Sequence, residues 1–495
     1  MKVREFYLNS EQEVIVRVVK EILNLFKIQV TDDDTAEYAR LAVENSLQKG
    51  KAPIVQTELS VETKDGEKSS FSCIGKARAD EKKGAAIHRL IKLNLYRLFC
   101  EHFSMPPALW GILHGVRPTK IVHRHIRDGL RQTEVVQRLM EDYAVSREKA
   151  ECITKLAFRQ LPFLATSDER TVSIYVGIPF CLSRCLYCSF PANVLPGEKK
   201  LAEFMAVWHK DLEAARQAVE KYGLRVQNIY VGGGTPTSLP DAYFSEMLHA
   251  VHAAFWTPEL FEFTVEAGRP DSMSPAKIDC MRELGVSRVS VNPQTMQPRT
   301  LKRIGRSHTP EDIVQMFQDL RAAGIPHINM DLIIGLPGEG TADVEDTMQK
   351  VAALQPDDIT LHALALKRGS RLKLHLEEFE LPDDKTAQQM FRTAMAHVEK
   401  LGMQPYYLYR QGYMSGQLEN VGCCVPGAEG MYNIQIMEEH QTILGIGGAA
   451  TSKVVDFQEH RLKTSFNAKD LTTYLSGVDT YIEKRRLLLA EAYGE

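Results

Sequence analysis

The chain has 495 residues, enough for about three domains, and its 44% hydrophobic and 25% charged residues are an ordinary globular balance. A net charge of −4 gives no general attraction to nucleic acid, no apolar run is long enough to span a membrane, and the start, MKVREFYLNSEQEV, lacks the apolar core of a secretory signal. Nine cysteines, odd in number and unevenly spread, do not read as a disulfide framework, so a reducing cytoplasm is expected.

Residues 1–105 read as a separate α+β domain of unknown role. A strand over Lys2–Leu8 precedes a helix whose apolar residues include Val14, Ile15, Val18, Ile22, Leu23 and Phe26. Strands over Ile54–Glu62 and Ser69–Ile74 are joined through Lys64-Asp65-Gly66, and Asp-Gly suits a hairpin turn. A second helix is expected over Glu81–Phe103. Residues 106–170 read as a helical, basic connector. Arg117, Lys120, Arg124, His125 and Arg127 would suit an acidic partner, but a solvated helix face is the simpler reading.

From 171 the pattern alternates strand and helix, with strand-like stretches at 171–178, 227–232, 261–266, 286–292, 327–334 and 357–363. Ser274-Pro275 opens one helix and Gly285 closes it; Thr309-Pro310 opens another and Gly324 closes it. Helices between successive strands imply parallel pairing with right-handed crossovers. The fold class is α/β, an open, partial (β/α)6 barrel over 171–395. Its site is expected at the carboxyl ends of the strands. Residues 396–495 hold YYLYRQGYMSGQLENVGCCVPGAEGMYN, ILGIGGAATSK and a helical tail, and read as a smaller carboxyl-terminal domain covering the barrel mouth. Cys423-Cys424 within it reads as two buried structural thiols rather than a reactive pair.

The chemistry gathers at those strand ends. The stretch 171–190, TVSIYVGIPFCLSRCLYCSF, carries Cys181, Cys185 and Cys188 in the spacing C-x3-C-x2-C. Three thiolates on one short loop suit a soft centre. A structural zinc wants four protein ligands, and no fourth Cys or His lies on the loop. A four-iron cluster held by three Cys would leave one iron open to a reactant. A zinc site completed from afar, or three unrelated core cysteines, are the other readings. After the second strand come Gly233, Gly234 and Thr235, which allow close approach to a ligand. Glu266 and Asp331, at the third and fifth strands, suit ammonium or ribose hydroxyls. Gln294 offers donor and acceptor, and Arg306 can grip a carboxylate. Tyr175 alternates with Ile174 and Val176, so its ring faces either the cavity or the packed barrel wall.

In order, YVGIPFCLSRCLYCSF, GGGTPTSL, VEAGRPDS, VNPQTMQPRTLKRIGRSHT, NMDLIIGLPGE and GIGGAATSK resemble the oxygen-independent coproporphyrinogen III oxidases, a branch of the radical S-adenosylmethionine (SAM) enzymes, over 171–455. The nearest subgroup is that of Gram-positive bacteria with an amino-terminal extension. The resemblance implies a 4Fe-4S cluster on Cys181, Cys185 and Cys188, with SAM at Tyr175, Gly233 and Glu266. Family members can bind a second SAM, and the matching positions are Tyr187, Gly234, Thr235, Gln294, Arg306 and Asp331, with Ala365 and Thr451 further on. The implied reaction is oxidative decarboxylation of two propionates of coproporphyrinogen III, giving protoporphyrinogen IX in haem biosynthesis. It needs an electron donor and an electron acceptor, and neither a nucleic-acid partner nor membrane insertion is expected. Two positions depart: Gly177 stands where well-studied members have His, and Phe190 where they have Cys. The haem-chaperone relatives also carry Phe at that place. A haem-binding chaperone, or a radical-SAM enzyme for another substrate, are thus the competing functions. A tetracarboxylate substrate also calls for cations at the rim, for which Arg269, Lys302, Arg303, Lys367, Arg368 and Arg371 lie past predicted strand ends.

Overall fold

Helix ends in the second half of the chain form where the sequence punctuates them. The Ser274 hydroxyl accepts from the Lys277 amide, and the helix Pro275–Glu283 stops before Gly285 at φ 70°. Thr309 and Asp312 cap one another at the start of Pro310–Ala322, and Gly324 at φ 84° ends it. The computed structural model describes residues 1–113, 115, 117–190, 193–367, 369–411, 414–457 and 461–494. It divides into two compact units, Met1–Lys155 and Leu156–Glu495.

The first unit holds a five-stranded sheet in the order Gln29–Val30, Lys2–Leu8, Tyr38–Gln48, Ile54–Thr63, Lys68–Lys76. Val18, Ile22, Leu41, Leu59, Leu90 and Phe99 form its core, where helices Glu13–Leu25 and Lys83–His102 pack on one face of the sheet. The strand Tyr38–Gln48 escapes the periodicity reading because its second half, from Glu44, is mostly polar: it buries Leu41 and Val43 and exposes Arg40, Glu44 and Ser46. Three helices follow, Thr119–Arg127, Gln132–Tyr143 and Arg147–Leu164. On the first of these His125, expected on a solvated basic face, is instead buried.

In the second unit six strands pair in parallel: Thr171–Ile178, Arg225–Gly233, Glu262–Gly268, Arg288–Gln294, His327–Ile334 and Asp358–Ala363. Their buried faces carry residues such as Ile174, Val231, Val265, Val289 and Met330. Residues 396–495 extend the same sheet at both ends. Thr442–Ile446 lies parallel beside the first barrel strand and is followed by antiparallel Thr451–Asp456 and Arg461–Phe466. At the far end Asn420–Cys424 pairs antiparallel with the sixth strand, and Gln404–Tyr409 with it in turn. The two outermost strands do not pair with each other, so the barrel stays open. A buried carboxylate fixes one end of this arrangement. Asp211, on helix Glu198–Lys221, accepts from the Gly447 amide at 2.8 Å, Tyr474 Oη at 3.0 Å and Asn467 Nδ2 at 3.1 Å, and pairs with Arg485 at 2.8 Å. Tyr474 and Arg485 lie on the terminal helix Leu471–Tyr493. Among the described residues no helix is long and apolar enough to cross a membrane.

Candidate active site

The three-cysteine loop leaves the first barrel strand at Pro179 and is held by the second. Phe180–Cys181 forms a short parallel pair with Asn193–Val194. The amides of Gly234 and Thr235 donate to the carbonyls of Ile178 and Phe180 at 2.8 and 2.7 Å. A methyl on Gly234 would stand 2.4 Å from the Phe180 carbonyl oxygen, so only glycine allows this approach. The closeness expected between these glycines and a ligand is thus, at Gly234, closeness to the cysteine loop itself. Arg269 braces the loop from the third strand: its Nη1 donates to Ser183 Oγ at 2.8 Å while Asp271 holds its other nitrogens at 2.9 and 2.6 Å. Burial raises the thiol pKa values of Cys181 and Cys188.

Cys181, Cys185 and Cys188 all face one cavity of about 700 Å³, and so do Tyr175, Tyr187, Gly233, Gly234, Thr235, Glu266, Gln294, Arg306 and Asp331. Ala365 lines it too, whereas Thr451 does not. Among the described residues, His375, Glu377 and Glu378 alone bring three ligand atoms within 4.8 Å of one another, and they are exposed. The three thiols thus do not all lie within 4.8 Å of one another, a wider spread than the about 3.8 Å at which tetrahedral zinc holds its sulfurs. Four buried atoms of cavity residues, Gln294 Oε1, Arg306 Nε, Arg288 Nε and Tyr432 Oη, have no hydrogen-bond partner in the protein, and the first two belong to residues expected at a ligand. Gln294 also adopts the left-handed backbone, φ 67°, which is strained for a residue with a side chain. An uncommitted acceptor and an uncommitted cationic donor beside a cavity fit a ligand such as SAM, which carries an ammonium, a carboxylate and ribose hydroxyls. The other guanidinium nitrogens of Arg306 bond the Asn292 carbonyl at 2.9 Å and Tyr187 Oη at 3.1 Å.

The two carboxylates differ in their surroundings. Burial, aided by the charge of Asp331, lifts Glu266 to about 7, although Tyr230 Oη donates to it at 2.6 Å. Burial acts the same way on Asp331, but the neighbouring His362 and a hydrogen bond from Asn329 outweigh it and hold that carboxyl below its ordinary value. Asn329 Nδ2 lies 2.7 Å from Asp331 Oδ1, and His362 Nε2 3.6 Å from Oδ2. With the amide of Asn292 turned to donate, its nitrogen reaches Asp331 Oδ2 at 3.2 Å.

Several cavity residues were not singled out in the sequence. Tyr230 and Tyr432 stack at 4.3 Å between centroids, with Tyr175 6.2 Å from Tyr230. The second strand held a signal for Tyr230, which shares a face with Gly232 at period two. His362 likewise breaks an apolar strand at a polar position. Nothing local marks Tyr432. The cation rim is smaller than expected. Arg269 is buried and paired with Asp271, Lys302 and Arg371 are exposed away from the cavity, and Arg303 donates to the Pro337 carbonyl at 3.0 Å. Arg368 lies outside the described residues, as do Gly412 and Tyr413 of the tyrosine-rich stretch. Lys367 does line the cavity. Gly177 abuts the Gly448 carbonyl: a methyl there would approach it to 3.1 Å, so any side chain at this position needs that carbonyl to give way by a few tenths of an ångström. Cys423 and Cys424 are fully buried.

Residues 175–351 match the Radical SAM superfamily. The oxygen-independent coproporphyrinogen-III oxidase-like protein HemZ of Bacillus subtilis is 36% identical over 393 residues, which are 78% of this chain and 77% of the relative. The heme chaperone HemW of Mycobacterium tuberculosis is 29% identical over 289 residues, 56% of this chain and 70% of its own. Among solved structures the coproporphyrinogen III oxidase HemN from Escherichia coli, a radical SAM enzyme, superposes with a TM-score of 0.52 at 23% identity, covering 66% of this chain and 72% of that one.

Proposed function

The chain belongs to the oxygen-independent coproporphyrinogen III oxidase-like family of radical SAM proteins, and on that premise we propose that it converts coproporphyrinogen III to protoporphyrinogen IX. At each of two propionates the overall change is loss of a hydrogen atom from the carbon β to the carboxylate, of carbon dioxide and of one electron, leaving a vinyl group. The family's 4Fe-4S cluster and SAM, when bound, supply one-electron reduction and hydrogen-atom removal. In this reading Cys181, Cys185 and Cys188 hold the cluster. Asp331 and Glu266 hold the cationic and hydroxyl groups of SAM, Arg306 its carboxylate, and Gln294 whichever polar edge faces it. The tyrosines of the wall keep water away from the reacting carbon and present flat apolar faces to the macrocycle.

The observation that carries the reading is that Cys181, Cys185 and Cys188 share one cavity of about 700 Å³ with the nine positions expected to hold SAM. The second reading, haem binding without decarboxylation, draws on Phe190 and on the likeness to a heme chaperone. Anaerobic incubation with SAM, a reductant, an electron acceptor and coproporphyrinogen III separates the two. Two losses of carbon dioxide, each matched by release of deoxyadenosine, are expected. Stoichiometric haem binding by a protein that cleaves SAM but leaves the propionates intact would move the function to the chaperone.

A further inference from the structure

The cavity is acidic within, where Glu266 and Asp331 face it, and two of its buried arginines have carboxylate partners. Arg288 is buried against Asp358 at 3.0 Å, and Arg269 against Asp271. Lys367 is different. It is half-buried on the cavity wall, just past the sixth barrel strand, and among the described residues no carboxylate lies within 4.0 Å of its ammonium. Its Nζ sits 5.5 Å from the centre of the Phe190 ring. That ring is 63% exposed, on a loop that also borders the cavity. A second cation stands nearby: Arg184, exposed on the cysteine loop and lining the same cavity, donates through Nη2 to the Gly369 carbonyl at 2.9 Å, two residues beyond Lys367. An exposed aromatic ring with one cation over it, and a second cation lining the same cavity, suits an apolar ring that carries a carboxylate. The apolar face meets the aromatic ring, and the charge meets the ammonium.

We propose that Lys367, seated on Phe190 and flanked by Arg184, anchors one peripheral carboxylate of the macrocyclic substrate at the mouth of the cavity. Phe190 then belongs to substrate recognition whether or not chemistry follows. This rests on the reading that the cavity takes a tetrapyrrole with carboxylate side chains. The methionyl carboxylate of SAM has the same chemistry, and the test must tell the two apart.

The test is fluorescence titration of the full chain, cluster reconstituted, with coproporphyrin III and with its tetramethyl ester, beside equilibrium dialysis of SAM. Lys367→Gln is expected to weaken binding of the free acid about tenfold, the loss of one charge-assisted hydrogen bond, and to leave the ester and SAM unaffected. Lys367→Arg is expected to restore most of that loss, and Phe190→Ala to weaken acid and ester alike. An acid-over-ester preference that survives Lys367→Gln overturns the anchor. So does a fall in SAM affinity in place of coproporphyrin affinity, which would assign Lys367 to the cofactor. Lys367-dependent coproporphyrin binding without decarboxylation keeps the anchor and removes the proposed reaction. Decarboxylation by Lys367→Gln at an unchanged KM does the reverse.

Discussion

Glu266 and Asp331 face one cavity, yet their environments push them apart. Glu266 has one hydroxyl, from Tyr230, and the Gly233 amide to offset its burial, and it rises from the ordinary 4.5 to about 7. Asp331 collects His362 and two amides and stays ionised. If both carboxylates hold SAM, affinity should weaken as pH falls through about 7, because Glu266 must lose its proton to hold a cation. Isothermal titration across that range checks it. Glu266→Gln should be weak at every pH and flat, whereas Asp331→Asn should be weaker but still pH-dependent, with its midpoint moved down because the Asp331 charge helps to raise Glu266. Without ligand the same shift has a stability sign. The folded chain keeps a proton that the unfolded chain releases, so stability falls as pH rises from 4.5 to about 7. Glu266→Gln should therefore gain on the native chain across that interval; a constant difference would place the titration elsewhere. The cysteines make a separate prediction. Ala at Cys181, Cys185 or Cys188 should abolish the brown absorption and SAM cleavage. Cys280→Ala should leave both, since that thiol is buried on helix Pro275–Glu283 near Ser245 and His249. A full four-iron cluster in Cys185→Ala would sink the ligand assignment.

Elements were legible where local chemistry fixes them. Ser274, Thr309, Gly285 and Gly324 each act within one or two turns, so the sequence marks the helix ends directly. The six barrel strands are legible for a related reason: parallel strands buried on both faces read as short apolar runs. Pairing between distant segments is not written locally. Nothing in ILGIGGAATSK announces that Thr442 pairs in register with Val172. Nor does it show that the Gly447 amide is spoken for by Asp211, 236 positions earlier in the chain. That carboxylate is fully buried and Arg485 nearly so, with side-chain exposures of 0% and 3%. Asp211→Ala should leave the Arg485 guanidinium without its carboxylate in the core and the Gly447 amide and Tyr474 hydroxyl without an acceptor. A loss of about 3–5 kcal/mol is expected, read from urea unfolding. Asp211→Asn, which can still accept, should lose less. Equal loss in both would mean that charge, rather than hydrogen bonding, dominates the junction.

At the scale of the whole chain, the residues that bear the proposed chemistry all lie beyond Leu156, in the second unit. The sequence pointed the same way, since residues 1–105 offered no constellation of reactive side chains. Why the two units share a chain was not legible, because a core built from Val18, Leu41, Leu59 and Phe99 says that a domain folds and not what it meets. The helix Arg147–Leu164 runs across the boundary between the units. Within the second unit it is tied by Arg159, which donates to the Gln404 carbonyl at 2.9 Å and pairs with Glu429 at 2.6 Å. Gln160 adds a bond to the Tyr406 carbonyl at 3.0 Å. A chain cut just before Arg147 keeps these ties and every cavity residue, so it should fold, take up the same iron per chain as the full protein and bind SAM with the same affinity. Iron analysis and equilibrium dialysis on the purified fragment check this. If the fragment is folded by circular dichroism but binds SAM much more weakly, residues 1–146 take part in the site, and the chemistry does not belong to the barrel alone.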